Sequence, residues 1–341
     1  MSTPINTTFL DACRGKRPAR TPVWLMRQAG RYMPEYRAVR NKVSFLELCR
    51  NPQRCAEVTL QPVDYLDVDA AILFSDILVV FDAMDVKIRF EPGPVIDQPV
   101  RTTTDLRRLR FGDPDAELGY VYDAIRACTK ALDHRVPLIG FCGGPLTTLS
   151  YLIEGKTSRD FEHTKRLMFS EPAAFGRLLG SLTELLARYL AGQVRAGVDA
   201  IQIFDSWAGS LTPRDYREHV LPHVRSLINE VRAHGVPVIM FARGNAALLE
   251  QIAETSADVI GVDWSLELDR AIDIVGPTRV VQGNLDPMIL LSNPDKLRSR
   301  VRDVLTAGAG AKAHIFNLGH GISRHTDPEM AKLMVQTVHE G

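Results

Sequence analysis

Short apolar runs recur along this chain, each followed by a longer stretch with helical spacing of its apolar residues. The runs cover 23–26, 70–74, 137–142, 200–204, 237–241, 259–264, 280–284 and 314–318. Continuous apolar runs this short suit strands buried on both faces of a parallel sheet. The stretches between them carry helix signatures. Residues 44–62 place Phe45, Leu48, Cys49, Val58 and Leu60 on one face. Asp113 and Pro114 make a helix start, an N-cap with proline in the first helical position, ahead of a stripe of Leu118, Val121, Tyr122 and Ile125. Leu178, Leu179, Leu182, Leu185 and Leu186 face one way along 172–196, which ends near Gly197. Thr212-Pro213 and Asp327-Pro328 start two more.

Two segments depart from this rhythm. Residues 86–94 suggest a hairpin turning at Pro92-Gly93-Pro94, and 154–165 form a polar insertion expected to be mobile. Eight strands, each followed by a helix, imply parallel pairing that closes into a (β/α)8 TIM barrel, an α/β fold with a single domain over 1–341. The competing arrangement is an open doubly wound sheet. No G-x-G-x-x-G follows the first strand to favour its dinucleotide-binding form.

Composition narrows the function more than the fold. In 341 residues, 45% are apolar and 24% charged, and 41 basic residues balance 41 acidic ones. A neutral total argues against a general nucleic-acid or membrane-surface binder, so any anion must be held by local arginines. Cys13, Cys49, Cys55, Cys128 and Cys142 are scattered without a C-x-x-C pair, which fits reduced thiols better than a disulfide framework. With no secretory signal pattern and no apolar run of membrane-spanning length, the expected location is the cytoplasm.

In a barrel of this kind the site lies at the C-terminal ends of the strands. The polar residues there are Arg27, Arg31, Asp76, Tyr151, Asp205, Ser206, Arg243, Asp263, Asn284 and His320. Planar guanidinium groups at a strand mouth suit two-pronged capture of carboxylates or phosphates. No lysine stands at a strand end, which removes the nucleophile of a Schiff-base mechanism. No H-x-C or clustered His/Cys set supports tetrahedral zinc. Asp205 is expected to support its loop, Cys142 to pack, and His163, His219, His223, His234 and His339 to lie on helix surfaces.

These residues carry a resemblance. PVWLMRQAGRYMPEYR (22–37) resembles the N-terminal motif of the uroporphyrinogen decarboxylases, and GFCGGPLTTLSYLIEG (140–155) is similar to that family's second motif. LFSDIL, IFDSWAG and NLGHGI also fit, so that the likeness runs from about residue 6 to residue 339. It implies a (β/α)8 barrel that decarboxylates the four acetates of uroporphyrinogen III to methyls, giving coproporphyrinogen III without cofactor or metal. Position by position, it implies that Asp76 accepts hydrogen bonds from the pyrrole N–H groups and steadies the protonated ring. Arg27 and Arg31 would meet substrate carboxylates, Arg27 doubling as a proton donor. Gln28, Ala29 and Gly30 would line the same loop, and Tyr151, Ser206 and His320 would make the remaining substrate contacts. A homodimer is implied as well. The competing reading is a corrinoid-linked methyltransferase on the same barrel. It needs zinc ligands in an H-x-C after a mid-barrel strand, where this chain has Met240-Phe241-Ala242-Arg243.

Overall fold

Seven of the eight expected strands are present in the computed structural model, which describes residues 6–90 and 93–341. In chain order the strands are β1 (Ala71–Ile72), β2 (Ile88–Phe90), β3 (Pro94–Ile96), β4 (Leu138–Gly143), β5 (Ala200–Asp205), β6 (Val238–Ala242), β7 (Val259–Gly261), β8 (Val280–Leu285) and β9 (Ala313–Leu318). β1 and β4 to β9 form one parallel sheet whose spatial order follows the chain. β2 and β3 pair separately as the expected antiparallel hairpin, and the turn expected at Pro92 lies outside the described residues.

The first expected strand, 23–26, contributes a single parallel bridge from Val23 to Phe316 rather than a ladder. Side chains intercept the donors a ladder would use. Leu25 N–H donates to Gln28 Oε1 (3.0 Å) and Met26 N–H to Asn317 Oδ1 (3.1 Å). The segment still joins the two edges of the sheet. Trp24 N–H reaches Phe316 O on β9, and Asp69 N–H, just ahead of β1, reaches Val23 O at 2.8 Å. A curled parallel sheet is thereby bridged into a barrel of the expected class.

Two buried polar networks fix that closure. Inside the barrel, Trp24 Nε1 donates to Gln282 Oε1 (2.9 Å), and Gln282 Nε2 donates to Gln202 Oε1 (3.2 Å). At the end where the strands begin, Asp69 is 1% exposed. Its carboxylate accepts from Arg20 (2.6 Å), Val23 N–H (2.9 Å), Asn6 (3.0 Å) and His339 (3.0 Å). One carboxylate thus ties the N-terminal segment, the start of β1 and the last helix together. His339 is therefore part of the structural frame, not a surface histidine; His163, His219 and His223 are also half-buried, and only His234 of that group is exposed.

The helices follow the sequence pattern with two breaks. The stretch expected to run 44–62 splits into Phe45–Cys49, started by a Ser44/Glu47 capping box, and Pro52–Leu66, capped by Asn51. Asparagine before proline is a better helix start than a helix interior. The helix begun by Asp113 stops at Glu117, and a second runs Gly119–Leu132. The polar insertion is a loop to Phe161 followed by the helix Glu162–Ser170. The leucine-faced helix spans Pro172–Ala196 and ends at Gly197, whose φ of +114° only glycine adopts readily. Its Leu179, Leu182, Leu185, Leu186 and Leu190 are fully buried, each burial contributing about 2 kcal/mol.

Candidate active site

The loop after Met26 turns on Arg27, a non-glycine residue held at φ +63°. Three contacts hold it there. Gln28 N–H donates to Leu25 O (3.0 Å), Gln28 Nε2 donates to Ala70 O (3.1 Å), and Tyr32 Oη donates to Gln28 O (2.8 Å). Arg37 clamps the far side through Arg31 O and Tyr32 O, both at 2.9 Å. The result is a rigid shelf from which Arg27 and Arg31 project into solvent, with Ala29 and Gly30 half-buried between them. The side chain of Gln28 is turned inward. The residue is 0% exposed with its side chain and backbone N–H committed within the protein, so it braces the shelf that carries the two arginines.

Asp76 sits just past β1. Leu78 N–H donates to its Oδ1 at 2.9 Å, which orients the carboxyl, and Oδ2 accepts no hydrogen bond from the described residues. The group keeps partial solvent contact, yet burial among its neighbours pushes its pKa above the usual carboxylate range. The Leu78 N–H and the Arg27 charge pull the other way without cancelling that push. A carboxylate held this way lacks a full complement of partners and favours any cation or N–H donor that enters.

Tyr151 belongs to the helix Pro145–Glu154 and stacks on Trp207, ring centres 3.9 Å apart at 34°. Burial raises its phenol pKa, and the Asp76 charge adds to that while Arg27 opposes it. The stack depends on the joint between two loops. Asp205 is 0% exposed and takes hydrogen bonds from Thr147 N–H (3.0 Å) and Thr147 Oγ1 (2.5 Å), and Trp207 N–H donates back to Thr147 Oγ1 (3.0 Å). Gly144 lets the loops meet, since a methyl there would lie 2.6 Å from Asp205 Cβ. Asp205 is the loop support the sequence suggests, and Ser206 lies half-buried between it and Trp207.

His320 leaves β9 beside Arg27. It is half-buried, its ring 6.1 Å from Trp264 and 6.2 Å from Phe241. Burial lowers its pKa to about 4, assisted by the Arg27 and Arg243 charges and opposed by Asp263. The imidazole is thus neutral at physiological pH and offers one donor and one acceptor.

Arg27, Asp76, Tyr151 and His320 therefore share one electrostatic neighbourhood, with Ser206 joined to it through Trp207 and Arg31 on the exposed rim. Asn284 instead bonds the carbonyls of Asp263 and Leu266, bracing the loop after β7. Trp207 and Trp264 escape the sequence reading. The aromatic directly after Asp205-Ser206 is the available signal for the first; nothing local marks the second. Among the described residues no group of His, Cys, Asp and Glu is arranged to hold a metal ion, and no helix is long and apolar enough to cross a membrane.

Two solved structures share the fold. A methyltransferase from Methanosarcina mazei superposes with a TM-score of 0.80 at 20% identity, covering 98% of both chains. A B12-independent methionine synthase from Shewanella sp. W3-18-1 gives 0.60 at 11% identity over 95% of both. Sequence relatives are much nearer. The uroporphyrinogen decarboxylase of Geobacter metallireducens is 51% identical and that of Carboxydothermus hydrogenoformans 48%, with 98% of this chain covered in each case and 98% and 97% of theirs. The family described as uroporphyrinogen decarboxylase (URO-D) matches residues 4–341. With that match over nearly its whole length, and half of its residues identical to curated members, the chain belongs to the uroporphyrinogen decarboxylase family.

Proposed function

We propose that this cleft converts the four acetate side chains of uroporphyrinogen III to methyls, giving coproporphyrinogen III and CO2, and that the substrate itself supplies the electron sink. Protonation of a pyrrole ring carbon makes the ring cationic. The bond to the acetate carboxylate then breaks, its electron pair enters the ring, and CO2 departs. A proton adds to the resulting methylene and the ring carbon gives up its own, so each acetate consumes one proton overall. The chemistry asks the protein for a fixed anion near the ring, cations for the carboxylates, and a proton donor.

Asp76 is the observation that carries this reading. It is oriented by Leu78, desolvated, and short of hydrogen-bond donors, all of which favour acceptance of pyrrole N–H groups. The same carboxylate stabilises a ring charge that exists only along the reaction path. Removing such a preorganised partner costs about 3–4 kcal/mol of barrier. Arg27 and Arg31 take the roles of carboxylate grips, with Arg27 also donating the proton beside Asp76. Guanidinium does not stay deprotonated at neutral pH, so that transfer requires its reprotonation in the same step. Tyr151, Ser206, neutral His320 and the backbone of Ala29 and Gly30 complete the contact surface in this reading. A cytoplasmic homodimer fits it, and the five buried cysteines, none in a disulfide, are compatible with a reducing compartment. Anaerobic turnover of uroporphyrinogen, with products separated by carboxylate number, tests the assignment: hepta- to tetracarboxylate products support it, and unchanged substrate overturns it.

A further inference from the structure

We propose that Arg243, laid against Trp264, forms a second carboxylate subsite of the cleft, and that it holds a propionate which stays on the substrate rather than an acetate that reacts. The proposal rests on the tetrapyrrole reading above. Arg243 directly follows β6, and Arg27 follows the segment that bridges to β9. In the sheet order, β7, β8 and β9 lie between them, and His320 at the end of β9 feels both charges. The wall is continuous. A methyl at Gly321 would lie 2.6 Å from Arg27 Cδ, the His320 ring lies 6.1 Å from Trp264, and Arg243 Cζ lies 5.4 Å from the centre of the Trp264 ring.

Arg243 is fixed in backbone and unspent in side chain. Its carbonyl accepts from Gly209 N–H (3.2 Å), and the next residue, Gly244, donates its N–H to the Asp263 carboxylate. Its guanidinium makes no hydrogen bond or ion pair with the described residues, whereas Arg50, Arg195, Arg217 and Arg232 each face a carboxylate. The ring of Trp264, itself 37% exposed, limits the rotamers of the guanidinium and leaves its edge open. A planar donor fork presented this way suits a carboxylate. Acetates must reach Asp76 and Arg27 in turn to react, so a cation three strands away best serves the groups that survive all four rounds.

The test separates the two kinds of carboxylate, because coproporphyrinogen III keeps its propionates and has no acetates. Arg243→Ala and Arg243→Lys are assayed anaerobically for KM and kcat with uroporphyrinogen III, and for Kd with coproporphyrinogen III by equilibrium dialysis. Arg243→Ala is expected to raise both KM and the product Kd about tenfold with kcat within about twofold, and Arg243→Lys to recover part of that loss. The side chain is exposed and makes no hydrogen bond with the described residues, so both variants are expected to fold. A raised KM with unchanged product affinity would overturn the propionate assignment, and no change in either would overturn the subsite. Wild-type protein that neither binds nor converts the tetrapyrroles would instead overturn the decarboxylase reading.

Discussion

The side chain of Arg27 lies against the backbone of Gly321, so closely that a Cβ there would come within 2.6 Å of Arg27 Cδ and 3.0 Å of Nε. The loop after β9 is therefore a template for the arginine as well as the carrier of His320. Gly321→Ala forces Arg27 off its position without requiring strained backbone, because Gly321 is not among the positive-φ glycines. The expected outcome is a fall in kcat/KM of tenfold or more, with thermal stability within about 0.5 kcal/mol of wild type. Steady-state kinetics and a melting curve on the same preparation check it; equal loss of both would mean that the glycine matters only to folding.

Asp69 predicts the acid limit of the fold. Burial pushes its pKa up, but the hydrogen bonds from His339, Val23 N–H and Asn6 outweigh that and hold it below the ordinary carboxylate value, while Arg20 pairs with the same carboxylate. A folded pKa below the unfolded one gives stability that is present above the unfolded value and lost as pH falls through the folded one. Asp69→Asn should cost about 3 kcal/mol at pH 7, by leaving Arg20 and His339 without their carboxylate, and the difference from wild type should shrink below about pH 4. Urea unfolding at both pH values measures it.

Asp205 should behave in the opposite sense. Burial raises its pKa to about 6, against the pull of two hydrogen bonds from Thr147, and its Oδ2 has no hydrogen-bond partner among the described residues. A folded pKa above the unfolded one means that the folded state holds the proton longer, so stability declines as pH rises from about 4 through 6. An asparagine at this position would keep an acceptor for Thr147 and no longer carry the buried charge. The Asp205→Asn protein should therefore be more stable than wild type at pH 8, by roughly 1–3 kcal/mol, and lose that advantage near pH 4. Parallel melts across this range decide, and a destabilised variant at pH 8 would show that Asp205 has a cationic or donor partner in solution.

Much of the barrel was legible because a parallel strand buried on both faces must be apolar without interruption, as in β4 and β9. The missing ladder at 23–26 was not, because Gln28, three residues on, and Asn317, 291 residues away, take the donors of Leu25 and Met26. Long-range pairing of that kind leaves no periodic trace. The same limit explains Gln28 itself, whose place beside two arginines hides that it points inward, and His339, whose partner Asp69 is 270 residues away. Asp76, Arg27 and His320 were legible as polar residues ending apolar runs. Trp264 and the role of Arg243 were not, since a cation over a ring arises from two loops that only the sheet brings together.

The most direct test of the whole account is the Asp76→Asn protein turned over anaerobically with uroporphyrinogen III beside wild type. Asparagine keeps the size and the acceptor for Leu78 N–H but removes the charge meant for the protonated ring. It also removes a carboxylate that burial disfavours, so the variant should melt no lower than wild type at pH 7. The predicted result is a folded protein whose rate of acetate loss falls by about a hundredfold or more at every stage from octa- to tetracarboxylate. Acetate loss at the wild-type rate would contradict the mechanism assigned to this site.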